Sequence, residues 1–523
     1  MSFFEKKVSS NVIFADYPDP DIIRVENTYY MISTTMHFMP GAVILRSYNL
    51  KDWETASYVY NTLDSTEGQK LSDNKGIYGQ GMWAASLRYH NKKFYVSFVA
   101  NDTHKTYLYT SSSIQGPWQK SEIEGFYHDM SLLFDEIDGR QRVFAVSGNT
   151  NIDLTELKED LSGPDNNGVQ KCIITDTDKV ILGYEGSHIY KINGRYYIFF
   201  IHWPEGKFRT QACYVSDKIE GPYKGKEILC SDLGGWNSGV AQGGIVDTPD
   251  GRWYGMLFQD HGALGRIPVL VPVSFDTEDG FPVFGTFDSE KNQYIVPQTV
   301  SVPDLNPDYK YKPLWNDDFI SDGKINLTWQ WNHNPDLSLI SLTENEYRIT
   351  TDSCVKNPLL CKNTITQRPV GHNFSACVEV DFSFLNEGDF AGLCTLEGDY
   401  GFIAVHKKNG NFFVVNAKRK SEVLPYKIGS VDEDFPEITA EQPLSSNKVI
   451  LRCDFDFNYG KENAVFKYKE KQSDEYKQLG EGKKLRFTLD QFVGCRFSLF
   501  YYSTKVSGGT VSFSNVKRIL EEK

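Results

Sequence analysis

NGRYYIFF (193–200) contains the signal that decides the fold: a tight-turn dipeptide, paired aromatics and then an apolar run. Asn-Gly ahead of alternating apolar residues is a hairpin signature. The same pattern recurs as NTYYMIS (27–33), NKKFYVSF (91–98), GRQRVFAVS (139–147) and DGRWYGML (250–257). Its second aromatic falls at Tyr30, Tyr95, Phe144, Tyr197 and Tyr254. A second echo follows three of these hairpins: LRSYNLKDWE from Leu45, YTSSSIQGPWQ from Tyr109 and YVSDKIEGPYKG from Tyr214. Each echo reads as a strand, a Ser, a short turn and an aromatic. Five units of about 50 residues, each with about four short strands, predict a five-bladed β-propeller. One blade cannot bury both faces, so the array must close on itself. The competing reading, a β-sandwich with chance hairpins, does not explain why both echoes keep the same order.

Composition agrees with this reading. The 523-residue chain has 34 Phe, 30 Tyr, 9 Trp and 42 Gly but only 7 Met, a β-rich balance. Its net charge of −14 argues against nucleic acid or anionic membrane as a partner. No apolar run approaches the roughly 18 residues of a spanning helix. The nine cysteines are scattered without a CxxC pair, as expected of reduced, mostly buried thiols. With no apolar leader in MSFFEKKVSSNVIF, the expectation is a cytoplasmic protein or one whose leader has been removed.

The segments just before the hairpins carry the chemistry. They are DYPDPDIIR (16–24), WAASLRYH (83–90), HDMSLLFDEIDG (128–139), EGSHIYKING (185–194) and AQGGIVDTPDG (241–251). Equivalent positions of propeller blades converge on the central axis, so Asp19, Asp129 and Glu185 are expected to meet there. Three carboxylates at apolar strand starts are costly unless paired or used. Each alone has a bland reading: a turn at Asp19, a loop cap at Asp129, an ion pair at Glu185. Together they suit glycoside hydrolysis, which needs one carboxyl to protonate the leaving oxygen and another to activate water or attack the sugar.

These motifs, with HGALGRIPVLVPV (261–273), resemble those of glycoside hydrolase family 43, inverting β-xylosidases and α-L-arabinofuranosidases built on five-bladed propellers. The resemblance implies Asp19 as general base, Glu185 as general acid, and Asp129 as the residue that raises the acid's pKa and orients it. It also implies that Arg266 contacts substrate hydroxyls, that Trp83 lies at the sugar site, and that the HFMPG loop, with Phe38, lines the pocket. Some xylosidase relatives carry His-Gly where this chain has Gln242-Gly243. Gln242 can still hydrogen-bond a sugar or water, and the departure points towards the arabinofuranosidase branch. Several members hold a cation on the propeller axis through a histidine, so His261 is either a Ca2+ ligand or a hydrogen-bonded pocket histidine. Substrates would be arabinose- or xylose-containing oligosaccharides cleaved from the end, with no cofactor required for the chemistry. A non-catalytic sugar-binding propeller is the alternative function.

Residues 1–286 are thus expected to form the propeller and 287–314 a Pro-rich linker. Residues 315–523 are expected to form a β-sandwich of jelly-roll type. Its predicted strands include LRFTLDQF (485–492), and Phe492 is a candidate to reach the pocket rim.

Overall fold

The computed structural model describes residues 4–423, 431 and 434–520. Among these, five four-stranded antiparallel sheets form the blades of a propeller. Their inner strands are Asp21–Val25, Met82–His90, Ser131–Ile137, Val180–Ile192 and Ala241–Asp247. The hairpin signatures all form the link to the second strand of each blade. One register holds throughout: Asp21 faces Ile32, Ser86 faces Ser97, Ser131 faces Val146, His188 faces Phe199 and Gly244 faces Met256. Each partner lies two residues past the repeat's second aromatic, so the sequence repeat and the structural repeat coincide. The second strands are apolar and buried through their centres, where they pack on both faces between neighbouring blades. Arg195–Pro204, for example, is buried over nearly its whole length.

The ring closes without a shared sheet between the first and last blades. The Arg24 guanidinium meets the Asp247 carboxylate at 2.5 Å, and the Gly244 N–H donates to the Pro20 carbonyl at 3.0 Å. The preceding segment runs along blade five, where the Leu270 N–H donates to the Ser10 carbonyl and the Tyr17 N–H to that of Arg266.

The polar stretch expected as a linker carries strands of its own. Thr299–Asp304 pairs antiparallel with Phe4–Ser9, with its apolar Val300 and Val302 turned inward. Beyond it, two sheets make the C-terminal sandwich. One of them gains its edge strand from the propeller. Phe38–Met39, in the HFMPG loop of blade one, pairs with Gln330–Asn332. Two buried arginines pin this contact: Arg368 Nε donates to the Asp16 carbonyl at 2.7 Å, and the Arg496 guanidinium covers the Phe38 ring at 4.2 Å. The segment 485–492 is not the strand that its alternation suggests. It leaves the sheet after Lys483–Lys484 and folds as a loop over the propeller axis, because its aromatics are covered by the propeller rather than by the sandwich core.

Candidate active site

A cavity of about 320 Å³ opens at the axis, walled by all five blades and the sandwich loop. Blade one supplies Asp19, blade two Trp83, blade three Asp129, blade four Glu185, blade five Gln242 and Arg266, and the sandwich Phe487 and Phe492. The geometry follows from the common register. The residue two positions before each inner-strand marker is Asp19, Ala84, Asp129, Gly186 and Gln242, all at the axis. Asp19, Asp129 and Gln242 take left-handed backbone with φ of 51°, 46° and 56°. For residues bearing a Cβ this costs on the order of 1 kcal/mol or more each, and it turns the side chains into the cavity.

Glu185 departs from this pattern by one residue. Gly186 occupies the equivalent place, at φ 63°, and a Cβ there would lie 2.6 Å from Gln242 Cδ. Only glycine lets the Gln242 side chain pass. The blade-four ladder is irregular on both sides of Glu185, and this bulging re-aims its carboxylate into the cavity.

The three carboxylates sit in two settings. Asp19 accepts Arg266 Nη1 at 2.7 Å. Arg266 is held in turn by its own N–H to Asp16 Oδ1 at 2.9 Å and by Nη2 to the Phe492 carbonyl at 3.2 Å. Burial raises the Asp19 pKa, and the Arg266 charge opposes that rise. Asp129, Glu185 and His128 form the other setting, with their polar atoms all within 4.8 Å of one another. Burial first, then the neighbouring Glu185 and Asp19 charges, push Asp129 up to about 7 against the pull of His128. His128 is raised to about 9, chiefly by Asp129, so it is an imidazolium near neutrality. Its Nε2 stands 3.4 Å from Glu185 Oε2, and Asn149 Nδ2 donates to the same oxygen.

The walls are aromatic. Trp83 and Phe492 stack at 5.9 Å and 15°, and the Arg266 guanidinium lies 4.8 Å from the Phe492 ring centre. A second polar cluster links the inner strands of blades one to four. Asp21 Oδ2 accepts Arg88 Nη1 at 2.6 Å and the Leu87 N–H at 2.7 Å, while Oδ1 lies 3.1 Å from His188 Nδ1. Arg88 Nη2 reaches Ser131 Oγ at 2.6 Å.

Of the residues singled out from the sequence, Asp19, Trp83, Asp129, Glu185, Gln242, Arg266 and Phe492 all line the cavity. Phe38 does not. It is wholly buried at the junction with the sandwich, under Arg496, and Met36 of the same loop lines the cavity instead. His261 also lies outside the lining, stacked on Trp236 at 3.9 Å with Nε2 3.0 Å from Gln259 Oε1. Burial and the nearby His372 lower its pKa to about 3. This position offers one unpartnered nitrogen, Nδ1, among aromatic rings, whereas Ca2+ takes about six to eight oxygens, so the residues present do not fit that ion. His128, Asn149, Arg209, Asp260 and Phe487 line the cavity without having been assigned a role from sequence. Adjacency to Asp129 is the only signal that could have drawn attention to one of them, His128.

Residues 9–282 match the family described as glycosyl hydrolases family 43, and residues 316–517 match the β-xylosidase C-terminal concanavalin A-like domain. The chain is 27% identical to a β-xylosidase of Formosa agariphila, over 96% of this chain and 88% of that one. It superposes on a bifunctional GH43-CE protein of Bacteroides eggerthii with a TM-score of 0.87 and 37% identity, covering 99% of this chain and 64% of that protein. A family 43 glycoside hydrolase engineered to display both endo-xylanase and exo-arabinofuranosidase activity matches over 99% of this chain and all of its own, with a TM-score of 0.86 and 26% identity. With its propeller, its sandwich and more than half its length matched in this way, the chain belongs to glycosyl hydrolase family 43 and is a glycosidase.

Proposed function

We propose that the enzyme is an exo-acting, inverting glycosidase that releases terminal α-L-arabinofuranosyl or β-D-xylosyl units from xylose- and arabinose-containing oligosaccharides. The observation that carries this reading is the division of the cavity's carboxylates into two settings, one beside a guanidinium and one grouped with an imidazole. Asp19, held by Arg266, takes a proton from water as that water attacks the anomeric carbon. Glu185 gives a proton to the departing oxygen as the glycosidic bond breaks. Asp129 acts on Glu185 through its neighbouring charge, while Asn149 and His128 orient it. Arg266, Gln242 and the Trp83–Phe492 pair position the sugar, whose apolar face suits an aromatic wall. The names borne by the similar proteins, β-xylosidase and exo-arabinofuranosidase, support the two sugars.

The test is turnover of nitrophenyl α-L-arabinofuranoside and β-D-xyloside, with NMR of the first-formed sugar. Release of the inverted anomer is expected, and the relative rates rank the two sugars. First-formed sugar of retained configuration would overturn the assignment of Asp19 as base, since inversion needs carboxyls roughly 6.5–9.5 Å apart with water between.

A further inference from the structure

A second group of potential ligands lies between blades three and four, away from the cavity lining. Asp176 and Asp178 follow the outer strand Gln170–Thr175 of blade three, and His202 lies on the strand Arg195–Pro204 of blade four. Their ligand atoms all lie within 4.8 Å of one another. The His202 side chain is wholly buried and that of Asp176 is 1% exposed, whereas Asp178 faces solvent.

His202 has an acid on each side. Nε2 lies 3.1 Å from Asp176 Oδ2, and Nδ1 lies 3.4 Å from Glu227 Oε1. Nδ1 makes no formed hydrogen bond despite its burial. Glu227 is held by Lys207 Nζ at 2.6 Å, and the Tyr184 ring covers the imidazole at 4.3 Å. A neutral imidazole has one N–H and one lone pair. With the N–H on Nε2, it donates to Asp176, and the buried Nδ1 lone pair is left 3.4 Å from Glu227 Oε1. With the N–H on Nδ1, the Nε2 lone pair faces Asp176 Oδ2 at 3.1 Å. Either neutral tautomer sets a lone pair against a carboxylate oxygen, a mismatch that a cation bound at Nε2 removes. The Nε2–Oδ2 separation is close to what two ligand atoms, each about 2.0–2.2 Å from one ion, must span. Glu227 would then be the outer carboxylate that fixes the tautomer of a metal-bound histidine.

We propose that Asp176, Asp178 and His202 bind a divalent transition-metal cation, with Zn2+ the best match to one imidazole and two carboxylates. Asp178 is the solvent-side ligand and leaves room for water. The site is structural. The Asp176 N–H donates to the Thr150 carbonyl, and Thr150 Oγ1 donates to Asn149 Oδ1, so the cation braces the turn that presents Asn149 to Glu185.

The test is calorimetric titration of ZnCl2 into the full chain after chelator treatment, with the melting temperature followed in parallel. His128, Asp129 and Glu185 could also take a cation, so Asp129→Asn serves to separate the two groups. One Zn2+ per chain is expected to bind and to raise the melting temperature in both the parent and Asp129→Asn proteins. Asp178→Ala, at an exposed position that does not threaten folding, should bind at least about tenfold more weakly. His202→Gln, where it folds, should do the same. The proposal is overturned by absence of saturable binding, by preference for Ca2+ over Zn2+, or by binding that Asp129→Asn abolishes and Asp178→Ala retains.

Discussion

Asp19 and Asp21 stand two residues apart in the same DPD triplet. Both are buried, and each faces an arginine. Their surroundings nevertheless move them in opposite directions. Asp21 feels the full cost of burial, but Arg88, His188 and the Leu87 N–H together outweigh it and lower its pKa. Asp19 has Arg266 and the Thr34 hydroxyl, which do not outweigh burial, so its pKa rises. One carboxylate is saturated with donors from neighbouring inner strands. The other keeps an open side towards the cavity. An arginine partner therefore does not by itself mark a buried acid as structural; the number of donors and the presence of an open side do.

Conservative substitutions should split the pair. Asp19→Asn should cost about 10²–10⁴-fold in kcat/KM while leaving the protein folded, as removal of a general base does. Glu185→Gln should fall within the same range on substrates with poor leaving groups and much less on nitrophenyl glycosides, which need little protonation. Equal losses on both substrate classes would remove Glu185 from the acid role.

Asp21→Asn should do the reverse. Breaking a buried pair from one side costs about 3–5 kcal/mol, read by denaturant unfolding, while the protein that remains folded keeps its turnover. The pH dependence has a definite sign. A depressed folded pKa contributes stability above the unfolded value of about 3.9, and that contribution is lost as pH falls through the folded pKa. The parent protein should therefore lose its advantage over Asp21→Asn in acid. A stability gap independent of pH would show that Asp21 acts through packing alone.

Asp129 lies between the two cases, buried yet poised at about 7. Asp129→Asn removes the carboxyl whose charge acts on the general acid beside it. The alkaline limb of kcat/KM should move to lower pH by about one unit, with acidic activity better preserved than in Asp19→Ala. An unmoved limb in a folded protein would leave Asp129 a binding or structural residue. The smallest effect is expected from Phe492→Ala. Losing a ring that stacks on Trp83 and faces Arg266 should raise KM by up to about tenfold, with kcat little changed.

The repeat made the propeller legible because period-two alternation and Asn-Gly or Asp-Gly turns act within a few residues of chain. The same periodicity misled at 485–492, where alternating apolar residues cover a neighbouring domain rather than fill a strand. It also pointed to Phe38 in place of Met36, since a sequence cannot tell which side of a loop faces a cavity and which a second sheet. Glu185 was found through its motif, although its one-residue offset from the repeat appears only in the ladder.

By itself the sequence determined the element type, the fivefold repeat, the acidic strand starts and the sandwich that follows, all of which rest on local pattern. Tertiary structure alone decided which of the two DPD aspartates is open and which is sealed. It also brought Asn149 and Arg209 to the axis and laid a sandwich loop across the mouth of the cavity. Burial and electrostatic environment depend on groups hundreds of residues away, such as Asp19 beside Arg266, and no local pattern encodes them.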